Sequence, residues 1–97
     1  MIFGLFGKKK GEEEKGVLIG EVVHYFQHVK AAIVKIRKDK LSIGDSIRIK
    51  GHTTDFREKI VSMQIDHEPV ESVSKGGEVA IKVKKKVRRR DKVYFLK

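Results

Sequence analysis

From Val17 onward apolar residues recur at every second position, and that period decides what the chain can become. Successive side chains of a strand point to opposite faces, whereas a helix repeats every three to four residues. In Val29–Arg37, Ala32, Val34 and Ile36 share one face, and Ile33, Lys35 and Arg37 share the other. Val17–Phe26 is rich in the β-branched and aromatic residues that suit a pleated surface. Only Gln27 and His28 separate these two runs, which predicts a hairpin. Ser46–Lys50 resumes the alternation with Ile47 and Ile49 inward and Arg48 outward. Val79, Ile81 and Val83 point in while Ala80, Lys82 and Lys84 point out, and Val93–Leu96 forms a last short strand.

Thr53–His67 is a run of 15 residues without Gly or Pro. Val61, Met63 and Ile65 form its inward set, while Phe56 and Ile60 have the opposite parity, which predicts a bulge between them. Five β-branched residues in this run (53, 54, 60, 61 and 65) argue against a helix. Turn signals lie at Asp39-Lys40, Gly44-Asp45, Gly51-His52 and Lys75-Gly76-Gly77, and Pro69 stops a ladder. The expectation is an all-β domain: a small closed antiparallel β-barrel of six to seven strands, because closure leaves no edge to protect. Residues 1–16, with four Gly, a Lys run and Glu12–Glu14, read as a flexible tail, and 17–97 as the barrel domain.

The chain has 97 residues, enough for one domain with a thin core, and no cysteine, which excludes disulfides and thiolate metal sites. It holds no apolar run long enough to span a bilayer, and Met1–Phe6 precedes Lys8–Lys10, the reverse of a signal peptide's order. A cytoplasmic location is the expectation. Ile2-Phe3-Gly4-Leu5-Phe6 beside those lysines is too short for stable membrane anchoring. The net charge is +10, and Lys82–Lys92 concentrates it, with eight basic residues against Asp91 alone. Clustered positive charge suits a polyanion such as RNA; equally, it can solvate an edge strand and prevent edge-to-edge pairing.

Leu41-Ser42-Ile43-Gly44-Asp45-Ser46-Ile47-Arg48-Ile49-Lys50-Gly51 resembles the second, β-barrel domain of translational GTPases of the elongation factor Tu type. Phe56 with Ile60–Gln64, then Ser74–Val83, then Val87 with Asp91–Tyr94 continue that likeness in order, over Leu18 to Leu96. Ile19–Val22 with His24-Tyr25-Phe26, and Ile49–Phe56, are similar to short translation-elongation-factor-like proteins. A related barrel ends the collagenase-like peptidases, some of which act on RNA. The resemblance implies a barrel that docks RNA or a ribonucleoprotein. It does not bring GTP hydrolysis, because the Gly-x-x-x-x-Gly-Lys-Ser/Thr loop is missing.

The candidate nucleic-acid-binding residues are accordingly Lys82, Lys84, Lys85, Lys86, Arg88, Arg89, Arg90 and Lys92, groups that contact phosphates without reading sequence. Tyr25, Phe26, Tyr94 and Phe95 are the aromatics available for stacking. Four histidines (24, 28, 52 and 67) lack a third ligand nearby, so no metal or cofactor is expected. Asp66-His67-Glu68 with Ser62, Ser72 or Ser74 shows no nucleophile elbow, so the chain is expected to bind rather than catalyse. RNA or a ribosome-associated complex is the expected partner. The alternative is a protein-interaction or scaffold barrel that partners a larger enzyme.

Overall fold

The computed structural model describes residues 16–96, among which there are ten strands and no helix. They are β1 (Val17–Phe26), β2 (Ala31–Ile36), β3 (Lys40–Ser42), β4 (Ser46–Lys50), β5 (Asp55–Lys59), β6 (Met63–Ile65), β7 (Glu68–Pro69), β8 (Ser72–Ser74), β9 (Glu78–Lys82) and β10 (Lys92–Leu96). Eight pair in the order β5-β4-β10-β1-β2-β9-β6-β7, and β3 pairs with β8 in a separate ladder. Every pairing is antiparallel. The β1–β2 hairpin forms as expected, and Ala32, Val34 and Ile36 are its buried face. Ile47, Ile49, Val79, Ile81, Val83 and Val93 are buried as the alternation requires.

The expected barrel closure does not occur. Among the described residues β5 and β7 remain the edges of an open sheet. The reason lies in 60–69. After β5 the chain leaves the ladder: Ile60 donates its N–H to the Asp45 carbonyl at 2.8 Å and accepts from Gly44 N–H at 2.8 Å. β6 is then three residues long and β7 only two, ending at Pro69, which has no N–H to offer a further strand. The change of parity expected within 53–67 falls at this departure, with Met63 buried as expected and Val61 alone of its set exposed. Phe56 and Ile60 are buried, whereas Val61 is 68% exposed. The expected six to seven strands missed β3 and β8, whose three residues each are too short to show a period. The expected tail lies outside the described residues except for Gly16.

All seventeen buried apolar residues form one cluster, which draws on both ladders. β1 can serve β10 on one side and β2 on the other because its register shifts between Leu18 and Gly20 and again between Val22 and His24. Those bulges turn Ile19 and Val22, of opposite parity, to the same interior.

One four-residue turn recurs three times among the described residues: Ser42–Asp45, Ser74–Gly77 and Arg88–Asp91. In each, the fourth N–H donates to the first carbonyl at 3.1 Å. The third residue is left-handed, with φ of 97° at Gly44, 94° at Gly76 and 75° at Arg90. Its N–H donates to a buried residue opposite (Ile60, Ile36 or Val22), whose own N–H donates back to the fourth carbonyl, at 2.7–2.9 Å throughout. Each turn is pinned by buried residues on both flanks: Leu41 and Ile47, Val73 and Val79, Val87 and Val93. A positive φ at the third position is the requirement that normally selects glycine.

Candidate functional site

Two of the three turns meet that requirement with glycine, and the third places Arg90 there within Arg88-Arg89-Arg90. Its frame is well fastened. Val87 is 1% exposed, so the chain cannot swing outward at its base. Asp91 is buried, and its carboxylate accepts the Arg88 N–H at 2.9 Å. Gly51 leaves room for that carboxylate, since a Cβ on Gly51 would collide with it. Asp45 repeats the arrangement by accepting the Ser42 N–H at 2.8 Å, while the third turn has Gly77 and no carboxylate.

The expected basic residues are all exposed, but they do not form one surface of equivalent groups. Lys82 ends β9 and reaches the Val29 carbonyl at 3.4 Å. Lys84 donates its backbone N–H to the Glu58 carboxylate at 3.0 Å. Lys85 lies over the Phe56 ring at 5.9 Å, a cation–π contact. Lys92 sits 3.5 Å from the Glu21 carboxylate, which Arg37 also approaches at 3.2 Å. The Arg37 hydrogen bond, helped by the Arg37 and Lys92 charges, holds the Glu21 carboxyl below the usual carboxylate range. Three of the eight side chains, those of Lys82, Lys85 and Lys92, are therefore occupied with neighbours. Those of Lys84, Lys86, Arg88, Arg89 and Arg90 pair with no carboxylate among the described residues.

Lys86, Arg88 and Arg89 border a depression of about 470 Å³ between the turn and the end of β1, which His24, Tyr25 and Val87 also line. Tyr25 is half-buried against the core, and His24 packs on the Phe26 ring at 4.4 Å between centroids. Of the four expected stacking aromatics, only Tyr25 lines this depression; Tyr94 and Phe95 are half-buried in β10. The sequence reading missed the part played by Val87 and Asp91. Their signal is the match between Leu41-x-x-Gly44-Asp45-x-Ile47 and Val87-x-x-Arg90-Asp91-x-Val93.

A second concavity, of about 360 Å³, lies on the face of β2, β6 and β9 turned away from the core. Phe26, Val29, Ile33, Ile65 and Ala80 give it an apolar floor, and Asp66 and Glu78 stand in its wall. Phe26 and Val29 are 46% and 54% exposed, unusual for residues of their size. No group of three or more His, Asp or Glu among the described residues can hold a metal ion. No helix among them is long and apolar enough to cross a membrane.

No family model matches the chain. Over 80 residues, 81% of the chain, it is 45% identical to an uncharacterized protease of Methanocaldococcus jannaschii. Over 85 residues, 87% of the chain, it is 34% identical to a collagenase of Porphyromonas gingivalis. The chain spans about a fifth of the length of these relatives. Among solved structures it resembles the C-terminal domain of a Geobacillus thermoleovorans U32 peptidase, with TM-score 0.77, 18% identity, and 84% and 93% of the two chains covered. The selenomethionine variant of that domain gives 0.74 at 20% identity, covering 79% and 96%.

These likenesses correct four expectations. The relatives are peptidases and collagenases, and the structural neighbours are U32 peptidase C-terminal domains, so the resemblance to translation-factor barrels is not the informative one. That likeness rested on Gly-Asp turns and alternating strands, which an open β-domain of this fold also needs. RNA or a ribosome as partner falls with it, since the relatives are named for proteolysis. The elongation-factor and RNA-binding description falls as well. So does the expectation that the chain binds rather than catalyses, because the matching segments lie in proteins named protease and collagenase.

Proposed function

We propose that this chain, with residues 17–97 as its folded unit, serves a U32-type peptidase as a protein-docking β-domain that takes part in proteolysis by holding a protein partner. The observation that carries this reading is the 45% identity over 81% of the chain to a segment of a protease. The fold shared with a U32 peptidase C-terminal domain supports it. The surface suits the role: an outward apolar floor around Phe26, Val29 and Ile33, and a separate turn of unpaired cations. Concavities with an apolar floor and a few charged groups at the wall are what docked chains use.

The test is a segment exchange in the Porphyromonas gingivalis collagenase. Its matching segment of 85 residues is removed, or is replaced by the corresponding residues of this chain, and cleavage of denatured collagen is measured. Removal is expected to lower cleavage, and replacement to restore most of it. A folded chimera no better than the deletion, or a deletion as active as the parent, overturns the reading.

A further inference from the structure

We infer that the Lys86–Arg90 turn is a docking prong for a carboxylate-rich segment of a protein partner, with Arg90 as its central contact; this rests on the protein-docking reading above. Three observations converge on it. The first is Arg90 itself. The same turn is built twice elsewhere with glycine at the left-handed position, and a Cβ at Gly44 or Gly76 would meet nothing within 4 Å. Space therefore does not dictate the residue there; the backbone does, and it favours glycine. An arginine at φ 75° opposes that preference. A strained residue held by a well-fastened frame is where a side chain is wanted for contact.

The second observation is the sorting of charges. The side chains of Lys82, Lys85 and Lys92 are engaged by Val29, Phe56 and Glu21, whereas those of Lys84, Lys86, Arg88, Arg89 and Arg90 pair with no carboxylate among the described residues. Four of these five cations are thus gathered at one turn. The third is the depression beside them, with the Tyr25 ring and the His24 imidazole in its wall. A carboxylate segment suits this arrangement. Arginine forks take carboxylates bidentately, as Arg48 already does with Asp55 at 2.8 and 2.9 Å. An amphipathic ring at the rim can cover an adjacent side chain.

The experiment uses the full chain and a fluorescein-labelled twelve-residue peptide of alternating Glu and Tyr. A Ser/Tyr peptide of equal length and a twelve-nucleotide single-stranded RNA serve as comparisons. Anisotropy is followed at several salt concentrations. The acidic peptide is expected to bind best, more weakly as salt rises, and about tenfold more weakly to R88A/R89A/R90G, as loss of three exposed pairs implies. R90G alone is expected to weaken binding while raising the melting temperature, and R90K to recover much of the binding. A purely structural role for Arg90 cannot make those two readouts move in opposite directions. Equal binding of the Ser/Tyr peptide, preference for the RNA, or undiminished binding by folded R90G overturns the prong. The chimeric collagenase separates the two readings. If it is restored by the native segment and equally by the segment carrying R88A/R89A/R90G, the prong fails and the docking reading stands; if neither restores it, the docking reading itself fails.

Discussion

The turns at Ser42–Asp45 and Arg88–Asp91 share a backbone and differ in what they present. Both close with a hydrogen bond of 3.1 Å, both use an aspartate to accept the first N–H, and both feed the strand that follows, β4 in one case and β10 in the other. The first fills its left-handed slot with Gly44, which leaves its exposed crest without charge. The second fills the slot with Arg90 and flanks it with Arg88 and Arg89. Its aspartate is correspondingly deeper: Asp91 is 4% exposed while Asp45 is half-buried. The difference separates two uses of one motif. If the Arg88–Asp91 turn carries contacts, as proposed, it accepts strain for them and is fastened more firmly beneath, whereas Ser42–Asp45 takes the residue its backbone prefers.

The largest expected effect breaks that fastening. Asp91→Ala removes a hydrogen bond to a charged acceptor in a buried position and is expected to cost about 2–3 kcal/mol, against about 1 kcal/mol for Asp45→Ala. Urea denaturation measures both. Gly51→Ala should cost about as much as Asp91→Ala, because the added Cβ expels the same carboxylate. In the double variant the second change should then add little, since both act on one contact. Equal losses at Asp45 and Asp91 would erase the proposed difference between the turns.

An exchange of the slot residues sharpens the comparison at smaller amplitude. Gly44→Arg places a side chain at φ 97° with open space around it, so only backbone strain opposes it, at about 1 kcal/mol. Arg90→Gly relieves that strain and is expected to gain about 0.5–1 kcal/mol, with glycine's greater freedom in the unfolded chain subtracting from the gain. For a domain of this size 1 kcal/mol moves the melting temperature by about 4–8 °C, so calorimetry resolves both signs. The double exchange should come out near the native stability with the arginine on the wrong turn, and acidic-peptide binding should not return. If Arg90→Gly destabilises, Arg90 is needed by the fold, and its strain says nothing about contact.

How far this comparison was legible in the sequence differs from residue to residue. Period two placed Ala32, Val34, Ile36, Ile47, Ile49, Val79, Ile81 and Val83 on the inside, because a ladder with one buried face transmits its parity to every residue it holds. Where a segment leaves the ladder the rule has no purchase. Val61 was read as inward and is exposed because Ile60 is tied to the Ser42–Asp45 turn rather than to a strand. Closure was not readable either, since it depends on whether β5 and β7 meet across the fold, which no local pattern encodes. The basic run announced a charged surface but not its division. That Lys85 rests on Phe56 and Lys92 on Glu21, leaving the side chains of 84, 86 and 88–90 without a carboxylate partner among the described residues, follows from contacts between distant segments. The duplicated turn was written in the chain all along, as Leu41…Asp45…Ile47 and Val87…Asp91…Val93. It stayed hidden because Arg90 occupies the position where a glycine would have announced it.

The smallest expected effect concerns the residue after each aspartate, Ser46 in one turn and Lys92 in the other. Lys92 reaches Glu21 on β1, and Arg37 just past the end of β2 reaches the same carboxylate, so one anion joins the base of the prong to the neighbouring hairpin. Because these cations lower the Glu21 carboxyl's folded value below its ordinary 4.5, the native state favours the ionised form more than the unfolded chain does. Its contribution to stability is complete above that ordinary value and is lost as pH falls through the lower folded one. Glu21→Gln should therefore melt below the native protein at pH 7, and the gap should narrow as pH is taken below 4.5. Partly exposed pairs are screened, so the gap should also shrink in molar salt. Ser46→Ala, at the matching site of the glycine turn, should show neither dependence. A Glu21→Gln gap that does not narrow as pH falls below that ordinary value would mean that the side chain acts by packing, and the ionic tie between prong and hairpin would have to be abandoned.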